Sequence, residues 1–417
     1  MGKFLQFPLP FHSKKHEQES EQSQSNCYLQ HSSPSSSNSS LISQSSLPSV
    51  SSLTPPTQQP TTAHHHLIAT LKAHSAYIFS LTLAGKHLYT ADSNGEIRVW
   101  DRDPSSLNSS SNNNNTVVQG HSPVKSIIPL GNTLFTAHHD HKIRVWKFHN
   151  DSTDHKLIAT LPTVKDRFTS LLSAQKHVTI PRNKKCSWVN HLDAVSALAV
   201  STDGALLYSV SWDRSLKVWR TSDFKCLESI QDAHDDAINA VVLSNDGHVY
   251  TGSADKKIKV WKRNDGEKKF KLSLVSTLEK HKSAVNALAL STDGSVLYSG
   301  ACDRSIIVWE NDGGGGERMA VAGALRGHSK AILCLSVVSD LVFSGSADKS
   351  MRIWKRGSGG SYFCLCVLGG HNGPVKCLTA ARLDDKNGGD DDLGNSYLLY
   401  SGGLDFDIKV WEIWVPF

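Results

Sequence analysis

Residues 250–261 read YTGSADKKIKVW, and six other stretches of the chain read almost the same. They are YTADSNGEIRVW (89–100), FTAHHDHKIRVW (135–146), YSVSWDRSLKVW (208–219), YSGACDRSIIVW (298–309), FSGSADKSMRIW (343–354) and YSGGLDFDIKVW (400–411). Each runs aromatic, Ser or Thr, a short turn, then Asp (Asn94 in the first copy), and six residues later Trp. One histidine stands upstream of each copy: His74, His121, His191, His234, His281, His328 and His371. The chain is a repeat protein.

The spacings between the closing tryptophans are 46, 73, 42, 48, 45 and 57 residues. Most lie near the roughly 40–45 residues of a four-stranded propeller blade. After each histidine comes an apolar run such as AVSALAV (194–200) or AVNALAL (284–290), then a turn such as Ser201-Thr202-Asp203-Gly204, then the repeated phrase. Within the phrase, alternation puts Ile97 and Val99 on one face of a strand and Trp100 on the other. Both faces carry large residues, as expected of sheets stacked face to face. Four short strands cannot bury two apolar faces alone, but a ring of seven blades can. The fold class is therefore all-β, a seven-bladed propeller.

These residues resemble the WD-repeat family over about residues 67–417. Only Trp100-Asp101 is a literal Trp-Asp pair, the other tryptophans being followed by Lys147, Arg220, Lys262, Glu310, Lys355 and Glu412. The Ser/Asn-rich preamble and the long third interval further resemble plant WD-repeat proteins of the Jingubang type. The family resemblance implies a hydrogen-bonded relay in every blade. Its members here are His74, Thr90, Asn94 and Trp100; His121, Thr136, Asp140 and Trp146; His191, Ser209, Asp213 and Trp219; His234, Thr251, Asp255 and Trp261; His281, Ser299, Asp303 and Trp309; His328, Ser344, Asp348 and Trp354; and His371, Ser401, Asp405 and Trp411. Such a relay satisfies polar groups that would otherwise be buried unpaired, at about 1–3 kcal/mol each.

Residues 1–63 hold 17 serines and 8 glutamines with few aliphatic residues, and are expected to be a disordered tail ahead of a propeller over 64–417. Ser33-Pro34 and Thr54-Pro55 suit proline-directed kinases, or are ordinary linker dipeptides. The opening residues, with Phe4, Leu5, Phe7, Leu9 and Phe11, are either a short docking motif or an accidental apolar patch. The net charge of +5 is too small to argue nucleic-acid binding. No run of 18 apolar residues and no secretory h-region occurs, so the expectation is a cytoplasmic or nuclear protein with no membrane association and reduced thiols. Gln6 stands where a myristoylation signal needs Ser or Thr.

Only six residues follow Trp411, too few for a fourth strand in the last blade. At the other end LIATL (67–71) precedes His74 as an outer strand precedes each later histidine, so the N-terminal strand is expected to complete the C-terminal blade. The third interval holds an insertion over 164–190, with Val164, Phe168, Leu171 and Leu172 at helical spacing. In the family's geometry it lies on the top face, and an acidic loop over 382–395 lies on the opposite one.

His, Ser and Asp are also the vocabulary of a hydrolase, but seven equivalent copies argue for structure rather than one nucleophile. His138–His141 and His64–His66 resemble metal clusters, yet neighbours along an extended chain point apart. No phosphate-cradling loop occurs. Neither a catalytic residue, a cofactor nor a metal is expected. Function is placed on the surface: a monomeric, non-enzymatic scaffold with a regulatory role, binding one or more proteins such as transcriptional or signalling regulators. Two alternatives stay open, a ubiquitin-ligase substrate adaptor and a nucleic-acid-binding propeller. By family position the top-face contacts are Tyr77, His139, Trp212, Asp235, Lys282, Asn372 and Leu404, joined by the basic run Arg182, Lys184 and Lys185. Trp212 is either an interface anchor or packed beneath the insertion.

Overall fold

The computed structural model describes residues 50–54, 63–102, 116–120, 122–149, 152–171, 177–180, 184–264, 270–311, 319–383 and 394–416. Contacts divide the chain into two units, Met1–Ser46 and Leu47–Phe417; the first lies outside the described residues.

Among the described residues, the second unit holds seven four-stranded antiparallel sheets. In blade five, for example, Val285–Leu290, Val296–Ala301, Ser305–Asn311 and Met319–Arg326 follow one another from the inner strand to the outer. The inner strand of each blade touches that of the next, and Val375–Arg382 touches Ile78–Ala84, so the ring is closed. Burial explains the absence of clean alternation. The second strand of blade five, Val296–Ala301, is buried along its whole length because sheets pack on both of its faces.

The seventh sheet is completed from the other end of the chain. Its order is His64–Leu71, Ile408–Pro416, Gly394–Gly403 and Val375–Arg382. Leu71 pairs with Ile408 and His64 with Trp414. The insertion after Leu161 forms a helix, Val164–Leu171, and a hairpin of His177–Ile180 with Lys184–Ser187. It returns to blade three where Lys217 Nζ donates to Trp188 O at 2.8 Å.

The ring is also linked side chain to backbone at all seven blade junctions. Ile127 N donates to Ser80 Oγ, and Leu198 N to Ser126 Oγ. Ser196 Oγ donates to Ile238 O, Asn239 Nδ2 to Val285 O and Asn286 Nδ2 to Ile332 O. The weaker thiol donors Cys334 and Cys377 reach Val375 O and Ile78 O. Cys334, Cys364, Cys366 and Cys377 are free thiols. Cys302 is disulfide-bonded, against the expectation of reduced thiols throughout.

The N-terminal stretch also differs from the expected tail that adds nothing to the fold. Val50–Thr54 lies along blade five, and Ala63 is buried in the cluster between blades six and seven.

Candidate functional site

Buried polar residues in each blade must find partners, and the repeated phrase supplies them. In blade four, Trp261 Nε1 donates to Thr251 Oγ1 at 2.9 Å, Thr251 Oγ1 lies 2.8 Å from His234 Nε2, and His234 Nδ1 lies 2.8 Å from Asp255 Oδ2. An indole N–H can only donate, so the hydroxyl accepts there and donates to Nε2, which leaves Nδ1–H to donate to the carboxylate. Blades five, six and seven repeat this chain through His281, Ser299, Asp303 and Trp309; His328, Ser344, Asp348 and Trp354; and His371, Ser401, Asp405 and Trp411. In blade three Ser215 Oγ stands between His191 Nδ1 (2.9 Å) and Asp213 Oδ1 (2.6 Å). Burial alone would raise the Asp303 and Asp405 carboxyls, but the bonds from His281 and His371 prevail and hold both at about 2.

Two blades depart from the expected wiring. In blade one the carboxylate is Asp92, 2.8 Å from His74 Nδ1, and Asn94 only donates its backbone N–H to Asp92 Oδ1. In blade two Asp140 leaves the relay for Arg144, at 3.1 and 2.5 Å. There His138 supplies the imidazole: Nε2 lies 2.7 Å from Thr136 Oγ1, which accepts from Trp146 Nε1 at 2.9 Å, and Nδ1 reaches Ser122 O. Both replacements occupy the last position of the second strand, two residues after the relay Thr and hence on its face of the sheet. His121 lies outside the described residues.

These relays hold the top-face turns. The residue after the turn Asp, or after Asn94 in blade one, has a left-handed backbone in every blade: Gly95, His141, Arg214, Lys256, Arg304, Lys349 and Phe406, at φ between 67 and 86°. The residue before it is fixed too, by a backbone bond from Ser93, His139, Trp212, Ala254, Cys302, Ala347 and Leu404 to the start of the inner strand. There each inner strand carries a β-bulge, with the extra residue Phe79, Lys125, Ser196, Asn239, Asn286, Leu333 or Lys376. A bulge re-aims a side chain. On blades three, four and five these residues are the small amides and hydroxyl that link neighbouring blades. On blades six, seven, one and two they are Leu333, Lys376, Phe79 and Lys125, so the bulge positions of these four blades are apolar or cationic.

Trp212, on blade three, meets the blade-two member of this set, Lys125. Its ring meets His139 at 5.9 Å between centroids, 79° apart, and Lys125 Nζ lies 4.9 Å from its centre and 4.2 Å from that of Phe79. On blades one and seven Tyr77 packs on Phe406 at 5.3 Å; both residues are exposed, 46% and 41%, and Phe406 is held at φ 70°. Enclosure lowers the Lys376 ammonium below its usual range. The remaining expected contacts are scattered. Asp235 is exposed and paired with Lys257 at 3.2 Å; Lys282 and Asn372 are exposed and donate backbone N–H groups to Asp303 and Asp405. Leu404 is half-buried beside them. Arg182 and residues 384–393 of the 382–395 loop lie outside the described residues, and Lys184 and Lys185 are described only as backbone of the hairpin.

The lookalike metal groups are wired otherwise. His138 and Asp140 have the partners given above, and His64 and His65 pack on Trp414 and Trp411. His74, Asp92 and Glu96 converge, but His74 bonds Thr90 and Asp92 while Glu96 pairs with Arg98 at 2.6 Å.

A family model described as WD domain, G-beta repeat matches residues 65–101, 112–147, 183–220, 224–262, 272–310, 320–355 and 362–412, one segment per blade. The chain belongs to this WD family. Among individual proteins, it is similar to small ribosomal subunit protein RACK1 of Drosophila melanogaster, 34% identical over 85 residues, which cover 20% of this chain and 26% of that protein. It is also similar to striatin-4 of Homo sapiens, 45% identical over 58 residues, 13% of this chain and 8% of that protein. The matches thus span about a quarter of the first relative and less of the second.

Proposed function

We propose that this WD propeller is a non-enzymatic protein-interaction scaffold that binds its principal partner on the top face across blades seven, one, two and three. The observation that carries the reading is the Phe79–Lys125–Trp212 contact: a cation between two aromatic rings drawn from three successive blades. Aromatic anchors fixed on rigid turns are the residues that dominate interface energetics. Tyr77 and Phe406 add an exposed aromatic pair on blades one and seven. The repeated His, Ser or Thr, and Asp groups are engaged in the relays, which supports a binding rather than a catalytic role. One relative is by its name a component of the small ribosomal subunit, a protein that works within an assembly. A regulatory role in a plant cell, in the cytoplasm and nucleus, is part of the same proposal and rests on the resemblance to Jingubang-type proteins.

The test is a binding titration of folded variants against a partner captured with the intact chain. Trp212→Ala is expected to weaken binding by about 2 kcal/mol or more. Lys125→Ala is expected to reduce affinity and its salt dependence together. Trimming residues 384–393 on the opposite face is expected to leave affinity unchanged. Loss on trimming, with both top-face variants binding normally, would move the site to the other face.

A further inference from the structure

The outer strand of a blade is an edge, and an edge offers unpaired N–H and C=O groups to any extended chain. On blade five that edge is occupied by the chain's own Val50–Thr54. Ser52 bridges Ala324 in parallel, with Leu53 N donating to Ala324 O at 3.0 Å and Ala324 N to Ser51 O at 2.9 Å. The segment then reaches blade six, where Tyr362 N donates to Leu53 O at 3.2 Å. Arg326 Nη2 donates to Val50 O at 3.0 Å. Val50 packs on the apolar cluster between blades four and five, and Leu53 on the cluster that contains Tyr298, Leu325 and Tyr362.

Leu53 fits because residue 323 is glycine. A β-carbon there would overlap the leucine side chain. At the equivalent ladder position other outer strands carry Ala69, Ala159, Glu228, Ser276 and Cys366. Blade five therefore has a notch that these blades lack, and a leucine fills it. Backbone pairing, two apolar anchors and a shaped notch are the components of recognition by strand addition.

We propose that the outer edge of blade five, with its junction to blade six, is a peptide-acceptor site. It selects an extended segment carrying an apolar residue, two small residues and a leucine, and its resident ligand is Val50–Thr54. Eight residues, 55–62, tether that ligand to Ala63 and the closing strand. A tether of this length holds a weak ligand at an effective concentration on the order of millimolar. A peptide of the same pattern on another protein therefore gains the site only when the resident segment is displaced. The site lies on the side of the ring, and its test does not involve the top-face residues.

The experiment uses the full chain and a fluorescent peptide with the sequence of residues 47–56, LPSVSSLTPP. Leu53→Asp, and the milder Leu53→Ser, empty the site without touching the acceptor edge. Both are expected to bind the peptide at least tenfold more tightly than the unchanged chain does. Adding Gly323→Leu to Leu53→Ser is expected to abolish binding, with melting curves and far-UV spectra confirming a folded ring. Amide exchange across residues 50–54 is expected to rise in both Leu53 variants. Equal peptide binding by the unchanged chain and the Leu53 variants, or none by either variant, would overturn the proposal, as would binding that survives Gly323→Leu.

Discussion

Asp92 Oδ2 lies 2.8 Å from His74 Nδ1, although Asp92 stands two residues ahead of the position where blades three to seven carry the relay aspartate. The carboxylate also accepts the N–H groups of Asn94 and Glu96, each at 2.9 Å, so one side chain both ends the relay and fixes the turn. Asp92→Ala is therefore expected to destabilise the ring by roughly 1–3 kcal/mol, and Asp255→Ala in blade four by a similar amount. Asn94→Ala is expected to cost less than about 0.5 kcal/mol, being an exposed substitution. Urea denaturation midpoints of the three variants check this. A larger loss for Asn94→Ala than for Asp92→Ala would return the relay to the expected residue.

Blade two gives the ring a distinct response to acid. Burial, aided by the Arg144 charge, pushes the His138 imidazole down to about 4 from an ordinary value near 6.5. The folded state thus prefers the neutral ring while the unfolded chain takes up a proton. The contribution of His138 is complete above about pH 6.5 and is lost as pH falls from there to about 4, by on the order of 2–3 kcal/mol. Asp303 and Asp405, held at about 2, lose theirs only as pH falls from about 4 toward 2. Stability of His138→Gln between pH 7 and 4.5 is expected to fall less steeply than that of the unchanged chain. Parallel slopes would remove His138 as the group responsible.

Closure by the N-terminal strand predicts an ordered series of truncations. Deleting residues 1–46 is expected to leave the melting temperature within a degree or two, since that Ser/Gln-rich stretch offers few aliphatic groups to a core. Deletion through residue 62 removes the segment paired with the edge of blade five and is expected to lower it by several degrees. Deletion through residue 73 exposes the edge of Ile408–Pro416 and is expected to cause a sharp loss of stability or aggregation. Indistinguishable melting of the last two chains would contradict the closure.

Much of this molecule is legible in the sequence because seven copies repeat one solution. The aromatic, the hydroxyl, the turn Asp and the Trp recur at fixed spacing, and the missing fourth strand after Trp411 has its counterpart in LIATL at residues 67–71. The misreadings fall where a copy deviates. Asn94 and Asp140 hold the consensus turn position, yet Asp92 and His138 reach the relay by alternation from the strand end. The signal was present, a charged or titratable residue where other blades have Ser, Ala or Gly. Lys125 and Lys376 likewise interrupt apolar inner strands, a sign that these positions are not core.

By itself the sequence determined the all-β class, the count of seven blades, the closure and the identity of most relay groups, since these depend on periodicity and on polar groups that every blade must satisfy. Only the tertiary structure decided what lies beside what. The bulges bring Phe79, Lys125 and Trp212 from three blades into contact, and Gly323 receives a leucine 270 residues earlier in the chain. Periodicity is a local property that the chain carries wherever it goes. Contact between blades depends on how twisted sheets stack around a ring, and no spacing along the chain encodes it.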